Sequence, residues 1–396
     1  MKPLYLSGFS VSLSVDRARL LVRDGFHEPD VKPEEMEIQA RNAPFDSVII
    51  DGHSGYVTLD SLKWLMRHGI PLLMLDYDGT LLSSALPREP VNGPLKIAQF
   101  QAYNDFERRL HIAKNLIEAK AQRTNDILDW LDKRYESETP ISTLNSEIQR
   151  LAKQDNLSRL MQVEGKIADA YWQYLQKILP AKFGFQSRMH ESHQMNSSDQ
   201  VNTLLNYGYA ILESQVRKAL NIAGLDPTIG FLHEARQTRY ALAYDLMEPY
   251  RFLIDTTVIS ALEASQFTKK DFYRMDNYVL RLRPEGVRRL LDVLRLKFNS
   301  PVRYHGKFYG WDVIIRLKAQ ELAHYILNKG HDLDFINPRP VLTRDDTAAV
   351  RERILSLDMS EARRRGIGKT TLWHLKQQVR TGKPFRTYKR VESRLE

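Results

Sequence analysis

Three separated stretches of this chain of 396 residues carry polar groups where an amphipathic core would not place them. In Leu160-Met161-Gln162-Val163-Glu164-Gly165, Glu164 stands in an otherwise apolar turn, and the glycine beside it suggests a close approach to something bulky or to another helix. Taken alone, Glu164 reads equally well as an exposed helix glutamate. In Gly224-Leu225-Asp226-Pro227-Thr228-Ile229-Gly230-Phe231-Leu232-His233, two glycines and a proline make a tight turn that presents His233 after an apolar pair. A lone histidine is more often a packed or surface residue than a ligand. Further on, Asp245 and Glu248 fall at i, i+3 on a helix otherwise lined by Leu242, Leu246 and Met247, which puts both carboxylates on one face. Such a pair is costly unless a cation offsets it. The chain has no cysteine. Carboxylates and an imidazole without thiolate form a hard donor set suited to Mn²⁺ or Mg²⁺ rather than structural zinc. An ion of that kind polarises a phosphodiester and lowers the pKa of an attacking hydroxyl.

The charge distribution points to a polyanionic partner. Residues 361–390 hold ten Lys or Arg against one acid, Glu361, an excess equal to the whole chain's net charge of +9. Concentrated basic charge is an electrostatic footprint for phosphate, although a solvated tail would also carry it. Ser360 to Lys376 reads as helix, glycine turn, helix, the pattern of a helix-turn-helix. Arg363, Arg364, Arg365, Lys369, Thr370 and Lys376 are its candidate DNA contacts, with Thr371 and His374 on the same recognition helix. A metal site beside a basic DNA-binding segment implies phosphodiester chemistry on nucleic acid.

Three other motifs compete. Leu72-Leu73-Met74-Leu75-Asp76-Tyr77-Asp78-Gly79-Thr80 looks like the nucleophile motif of haloacid-dehalogenase-type phosphatases, with Asp76 as nucleophile and Asp78 as acid. That fold requires a doubly wound parallel sheet downstream, whereas the downstream chain here has a helical pattern, and Asp78-Gly79 is accounted for by a hairpin. Gly368-Lys369-Thr370 lacks the first glycine of a P-loop, since residue 363 is Arg363. His190-Glu191-Ser192-His193 lies among Ser and Asn and reads as a solvated loop rather than a ligand pair.

The elements that must position these groups divide the chain in three. Residues 1–92 read as a small β-rich domain: strands over Ser10–Val15, Ala18–Val22 and Ser47–Ile50, a helix over Thr58–His68, and a hairpin across Asp76-Tyr77-Asp78-Gly79. Pro87, Pro90 and Gly93 suggest a linker. Residues 93–345 read as a larger helical domain without βαβ alternation, its helices spanning Phe106–Lys133, Leu157–Ile178, Val201–Ala223, Ala241–Leu262, Glu285–Phe298 and Trp311–Asn328. Residues 346–396 form the basic extension. The fold class is therefore α+β and multidomain. With 42% hydrophobic residues the chain can bury a sizeable core, and no apolar run approaches the ~20 residues of a membrane span. The N-terminus lacks a signal-peptide pattern, so a cytoplasmic location is expected.

The same residues carry a family resemblance. Glu164-Gly165, then Gly224-Leu225-Asp226-Pro227 to His233, then Asp245-Leu246-Met247-Glu248, in that order, resemble the catalytic core of the CRISPR adaptation integrases, the Cas-one family. Val201 to Ala210, Ile50-Asp51-Gly52-His53-Ser54-Gly55 and Gly69-Ile70-Pro71 are similar to further family segments, so the likeness spans roughly residues 4–330. It implies a Mn²⁺ or Mg²⁺ ion held by Glu164, His233 and Glu248, where many members have aspartate at the last position. Asp245 would stand behind the ligands or substitute for one, and His233 would double as a proton acceptor. Apart from the resemblance, Tyr171, Arg236 and Arg239 lie near enough in sequence to line the DNA path, and read equally well as surface or packing residues. The implied reaction is direct transesterification without ATP, in which a spacer 3′-hydroxyl attacks a phosphodiester at a repeat edge. The implied partners are double-stranded DNA, a second copy joined through the β domains, and a small second adaptation protein bridging two dimers. The basic extension is also similar to that of casposases, transposon integrases with the same core. A non-catalytic DNA-binding protein on this fold is the alternative of a different class.

Overall fold

A computed structural model describes residues 2–27, 33–76, 79–87, 92–135, 142–151, 153–179, 183–185, 188, 199–235, 240–274, 280–329, 332–340 and 354–380. The N-terminal region builds two four-stranded sheets. One has the order β1 (Pro3–Gly8), β5 (Ser47–Gly52), β7 (Leu72–Leu75), β8 (Leu81–Ala85); the other runs β4 (Glu35–Ile38), β3 (Arg19–Arg23), β2 (Val11–Asp16), β6 (Gly55–Val57). In the first sheet β1, β5 and β7 are parallel, and β8 closes it as an antiparallel hairpin. Its residues alternate between two cores. Tyr5, Ile49 and Leu73 face the main helical core, whereas their neighbours Leu6, Val48 and Leu72 face a smaller core with Leu13, Leu20 and Trp64. A sheet covered on both faces explains why Val48-Ile49-Ile50 and Leu72-Leu73-Met74-Leu75 are unbroken apolar runs. The expected helix forms as α1 (Leu59–Arg67), with the Thr58 hydroxyl accepting from Ser61 N. Gly93 belongs to no linker. It opens α2 (Gly93–Asn104), whose Asn92 cap and Pro94 in the first turn suit a helix start.

Beyond α2 the chain is helical: α3 (Phe106–Tyr135), α4 (Ser142–Leu151), α5 (Leu157–Ile178), α6 (Gln200–Ala223), α7 (Ala241–Met247), α8 (Arg251–Glu263), α9 (Pro284–Phe298) and α10 (Trp311–Ile326). The strands in this part are short antiparallel pairs, β9 (Phe272–Arg274) with β10 (Leu280–Leu282), and β11 (Val302–Tyr304) with β12 (Lys307–Tyr309). The single helix expected over Ala241–Leu262 is two, parted by a 3₁₀ turn at Glu248-Pro249-Tyr250. Pro249 has no N–H to donate, and its ring would clash with the Asp245 carbonyl in a continuing α-helix. The β-rich part is fastened to the helices by Asp51, which accepts from Tyr5 Oη and Arg281 Nη2, each at 2.6 Å. Residues 354–380 pack around a core of their own, Ile354, Leu357, Ala362, Ile367, Leu372, Leu375 and Val379, with helices Met359–Arg364 and Lys369–Arg380 joined through Gly366 at φ +70°.

Candidate metal and phosphodiester site

Two helix carboxylates meet at one ammonium. Glu164 rises from the middle of α5, and Glu248 is held by the proline break at the end of α7. Lys120 of α3 lies between them: its Nζ donates to Glu164 Oε1 and stands 2.7 Å from Glu248 Oε2. That same Oε2 accepts from Arg251 Nε at 3.0 Å. Glu248 is buried at 5% exposure. Burial alone would disfavour its charge, but Arg251 and Lys120 outweigh it and hold the carboxyl at about 2. Arg251 lies over the Tyr209 ring, and Tyr209 and Tyr171 both donate to the buried Asp255 carboxylate.

His233 is placed by a loop whose donors converge on one carboxylate. Asp245, fully buried on α7, accepts from Phe231 N (2.5 Å) and Leu232 N (2.9 Å) at Oδ2, and from His233 N (3.0 Å) and His233 Nδ1 (2.7 Å) at Oδ1. Four donors fill the lone-pair sites of a carboxylate, so Asp245 builds the loop and orients the imidazole. Gly230 allows the approach, because a Cβ there would lie 2.8 Å from both Ala241 and Asp245 Oδ2. From α2, the buried Gln99 side chain donates to the carbonyls of Asp226 and Ile229 and accepts from Asp226 N; from α3, Arg109 Nε donates to Phe231 O. The hydrogen bond to Asp245 raises the His233 pKa above the ordinary imidazole value against the opposing effect of burial. With Nδ1 turned to Asp245, Nε2 is the nitrogen available to a ligand. A cleft of about 480 Å³ runs beside the loop, between Leu157, Met161 and Gln162 of α5 and Arg109, Leu232 and Glu234.

The residue types fit a hard divalent ion: two carboxylates already share one positive charge, and an imidazole whose far nitrogen is fixed by a carboxylate stands close by. The expected convergence of Glu164, His233 and Glu248 is nevertheless incomplete. Among the described residues no three His, Asp or Glu side chains are grouped as metal ligands; Lys120 lies between the two glutamates, and His233 Nδ1 is engaged by Asp245. The close approach inferred at Gly165 is absent, since a Cβ there would meet nothing within 4 Å. Tyr171, expected on the DNA path, is 5% exposed and donates to Asp255 at 3.0 Å, so it packs the interior instead. Arg236, Arg239, Asp78, His190 and His193 lie outside the described residues. Asp76 belongs to the β7–β8 turn, donating to Thr80 O and accepting from Gly79 N, and among the described residues that follow there is no parallel sheet of the kind a phosphatase of that type needs. Arg363, Arg364, Lys369 and Thr370 are exposed, whereas Arg365 pairs with Glu361 and Lys376 donates to Leu355 O.

Lys120, Gln99, Arg109 and Arg251 were not legible as site residues from sequence. Lys120 alone left a signal: it falls at the helical spacing of the buried Ala113, Leu116, Ile117, Thr124 and Ile127, in a stripe that should be apolar.

Comparison with known proteins agrees with this fold. The family model described as CRISPR associated protein Cas1 matches residues 4–295. A CRISPR-associated endonuclease Cas1 of Archaeoglobus fulgidus is 29% identical over 344 residues, covering 82% of this chain and 96% of the relative. One from Thermus thermophilus is 27% identical, covering 74% and 86%. Among solved structures, a casposase bound to an integration product superposes with a TM-score of 0.84 at 39% identity, over 90% of this chain and 99% of that one. A Cas1 protein from Thermotoga maritima shares the fold at a TM-score of 0.69 and 20% identity, over 83% and 98% of the two chains.

Proposed function

The chain belongs to the CRISPR-associated Cas1 family, and from that premise we propose that it is a metal-dependent DNA integrase that joins 3′-hydroxyl ends to a target duplex by transesterification. The observation that carries this reading is the meeting of Glu164 and Glu248 around one cation beside His233. Glu164, Glu248 and His233 Nε2 are the residues that would hold Mn²⁺ or Mg²⁺. Bound there, the ion supplies Lewis-acid activation of the phosphodiester and of the attacking hydroxyl. Arg251 keeps Glu248 charged, and Asp245 keeps the imidazole turned. The exposed Arg363, Arg364, Lys369 and Thr370 supply sequence-independent grip on DNA phosphates. Exposed Phe9, Tyr56 and Leu59 on the N-terminal region support pairing of two copies through that part.

Two settings share this chemistry. The family match and the curated relatives support spacer insertion into a CRISPR repeat, with a small second adaptation protein as partner; the chain shares the fold of 36% of a chain in a solved Cas6-RT-Cas1–Cas2 complex, at a TM-score of 0.70 and 23% identity. A specific observation favours the second setting, transposon integration: the casposase is 39% identical across 90% of this chain, more than any of the three Cas1 proteins above. The test is strand transfer of a labelled duplex into supercoiled plasmid with Mn²⁺, followed by sequencing of the junctions. Insertion at repeat edges, aided by the second adaptation protein, is the CRISPR outcome. Insertion of transposon-end sequences without that protein is the casposase outcome, and no joined product under either condition would refute the integrase reading.

A further inference from the structure

Lys120 sits between the two glutamates of the site, yet neither the family likeness nor the sequence motifs employ it. Its side chain is only 18% exposed and emerges from a buried stripe of α3, and its ammonium touches a carboxylate oxygen of Glu164 and one of Glu248. An oxygen-liganded divalent ion would need those same carboxylates at about 2.0–2.6 Å. An ion held by the two oxygens that Lys120 touches, Glu164 Oε1 and Glu248 Oε2, would take the place of the ammonium.

We propose that Lys120 is a tethered cation that occupies the metal position in the ion-free protein and must withdraw before the ion binds, making occupancy conditional on DNA. This rests on Glu164 and Glu248 being the ion's ligands. Without a positive charge between them, two carboxylates at this distance repel, so Lys120 keeps the ion-free site folded. Its flexible four-carbon stem allows the ammonium to leave without moving α3. A phosphodiester entering the site gives the displaced ammonium a new partner. DNA and ion must then each tighten the other's binding, because coupling between two ligands is reciprocal.

The test is Mn²⁺ affinity of the full chain, read from the electron paramagnetic resonance signal of free Mn²⁺, with and without a duplex. Wild type is compared with Lys120→Met, Lys120→Gln and Lys120→Arg. Without DNA, both neutral variants should bind Mn²⁺ at least about tenfold more tightly than wild type, and Lys120→Arg should stay near it; if Lys120→Met does not fold, Lys120→Gln decides. Adding duplex should tighten Mn²⁺ binding to wild type and leave the neutral variants little changed. Neutral variants that bind no more tightly than wild type would overturn the exchange. Equal tightening by duplex in all four proteins would overturn the dependence on DNA. If no protein binds Mn²⁺, or Glu164→Gln leaves wild-type affinity intact, the assignment of the ligands itself fails.

Discussion

At the scale of single residues, the site is a balance of charges in which each carboxylate has a distinct task. Glu248 is charged because two cations reach it, and Asp245 organises the histidine loop by accepting four hydrogen bonds. The folded Glu248 value of about 2 lies below the 4.5 of a free glutamate. Its ion pairing therefore contributes in full above pH about 4.5 and is lost as pH falls toward about 2. At ~1.4 kcal/mol per pKa unit, the contribution has a ceiling of roughly 3–4 kcal/mol. In metal-free buffer, Glu248→Gln should flatten the fall of unfolding stability across that acid window and leave the slope above it unchanged. An acid limb identical to wild type would mean that the pairing with Lys120 and Arg251 does not form. Sequence made Glu164, His233, Asp245 and Glu248 visible because polar residues in apolar surroundings stand out. It gave only a faint sign of the cations that neutralise them: Lys120 interrupts the apolar stripe of α3, and Arg251 stands out in no pattern.

At the scale of elements, the site exists because a loop and a helix break are both enforced. The loop ahead of His233 has little regular structure, yet three of its backbone N–H groups converge on Asp245, and Gln99 braces its entry. Replacing Asp245 by alanine leaves those donors buried without an acceptor, at a cost of roughly 1–3 kcal/mol each. Asp245→Ala should therefore destabilise the protein by about 3 kcal/mol or more and speed hydrogen exchange at Phe231, Leu232 and His233. Retained protection at those amides would assign Asp245 to the chemistry alone. The helix boundaries of α5 and α6 were legible from their apolar period. The break at Pro249 is masked in the sequence because the period continues through it: Leu246, Phe252, Leu253 and Leu262 are all buried. The β9–β10 and β11–β12 pairs have strands of three residues each, too short for alternation to show.

At the scale of the whole molecule, the chain joins a sheet-rich part, a helical body that holds the site, and a basic unit with a separate core. Alternating burial of the first sheet ties the first two together, whereas residues 354–380 bury their apolar groups among themselves. Truncation after residue 345 should therefore leave the melting of the body intact. It should weaken DNA binding and make the dependence of log affinity on log salt shallower, by about 0.9 for each phosphate that the basic unit neutralises. An unchanged slope would show that the basic unit does not touch DNA. The change from strand period to helix period was legible in the sequence; the parallel order β1-β5-β7 was not, because nothing local in a strand states its neighbour. The central claim, that Glu164, His233 and Glu248 act as one site for DNA strand transfer, is tested most directly by the joined product. Wild type, Glu164→Gln, His233→Ala and Glu248→Gln would be compared at equal DNA occupancy with Mn²⁺ present. The expected result is loss of joining by about a hundredfold or more in all three variants with DNA binding retained; joining at the wild-type rate in any one of them would contradict it.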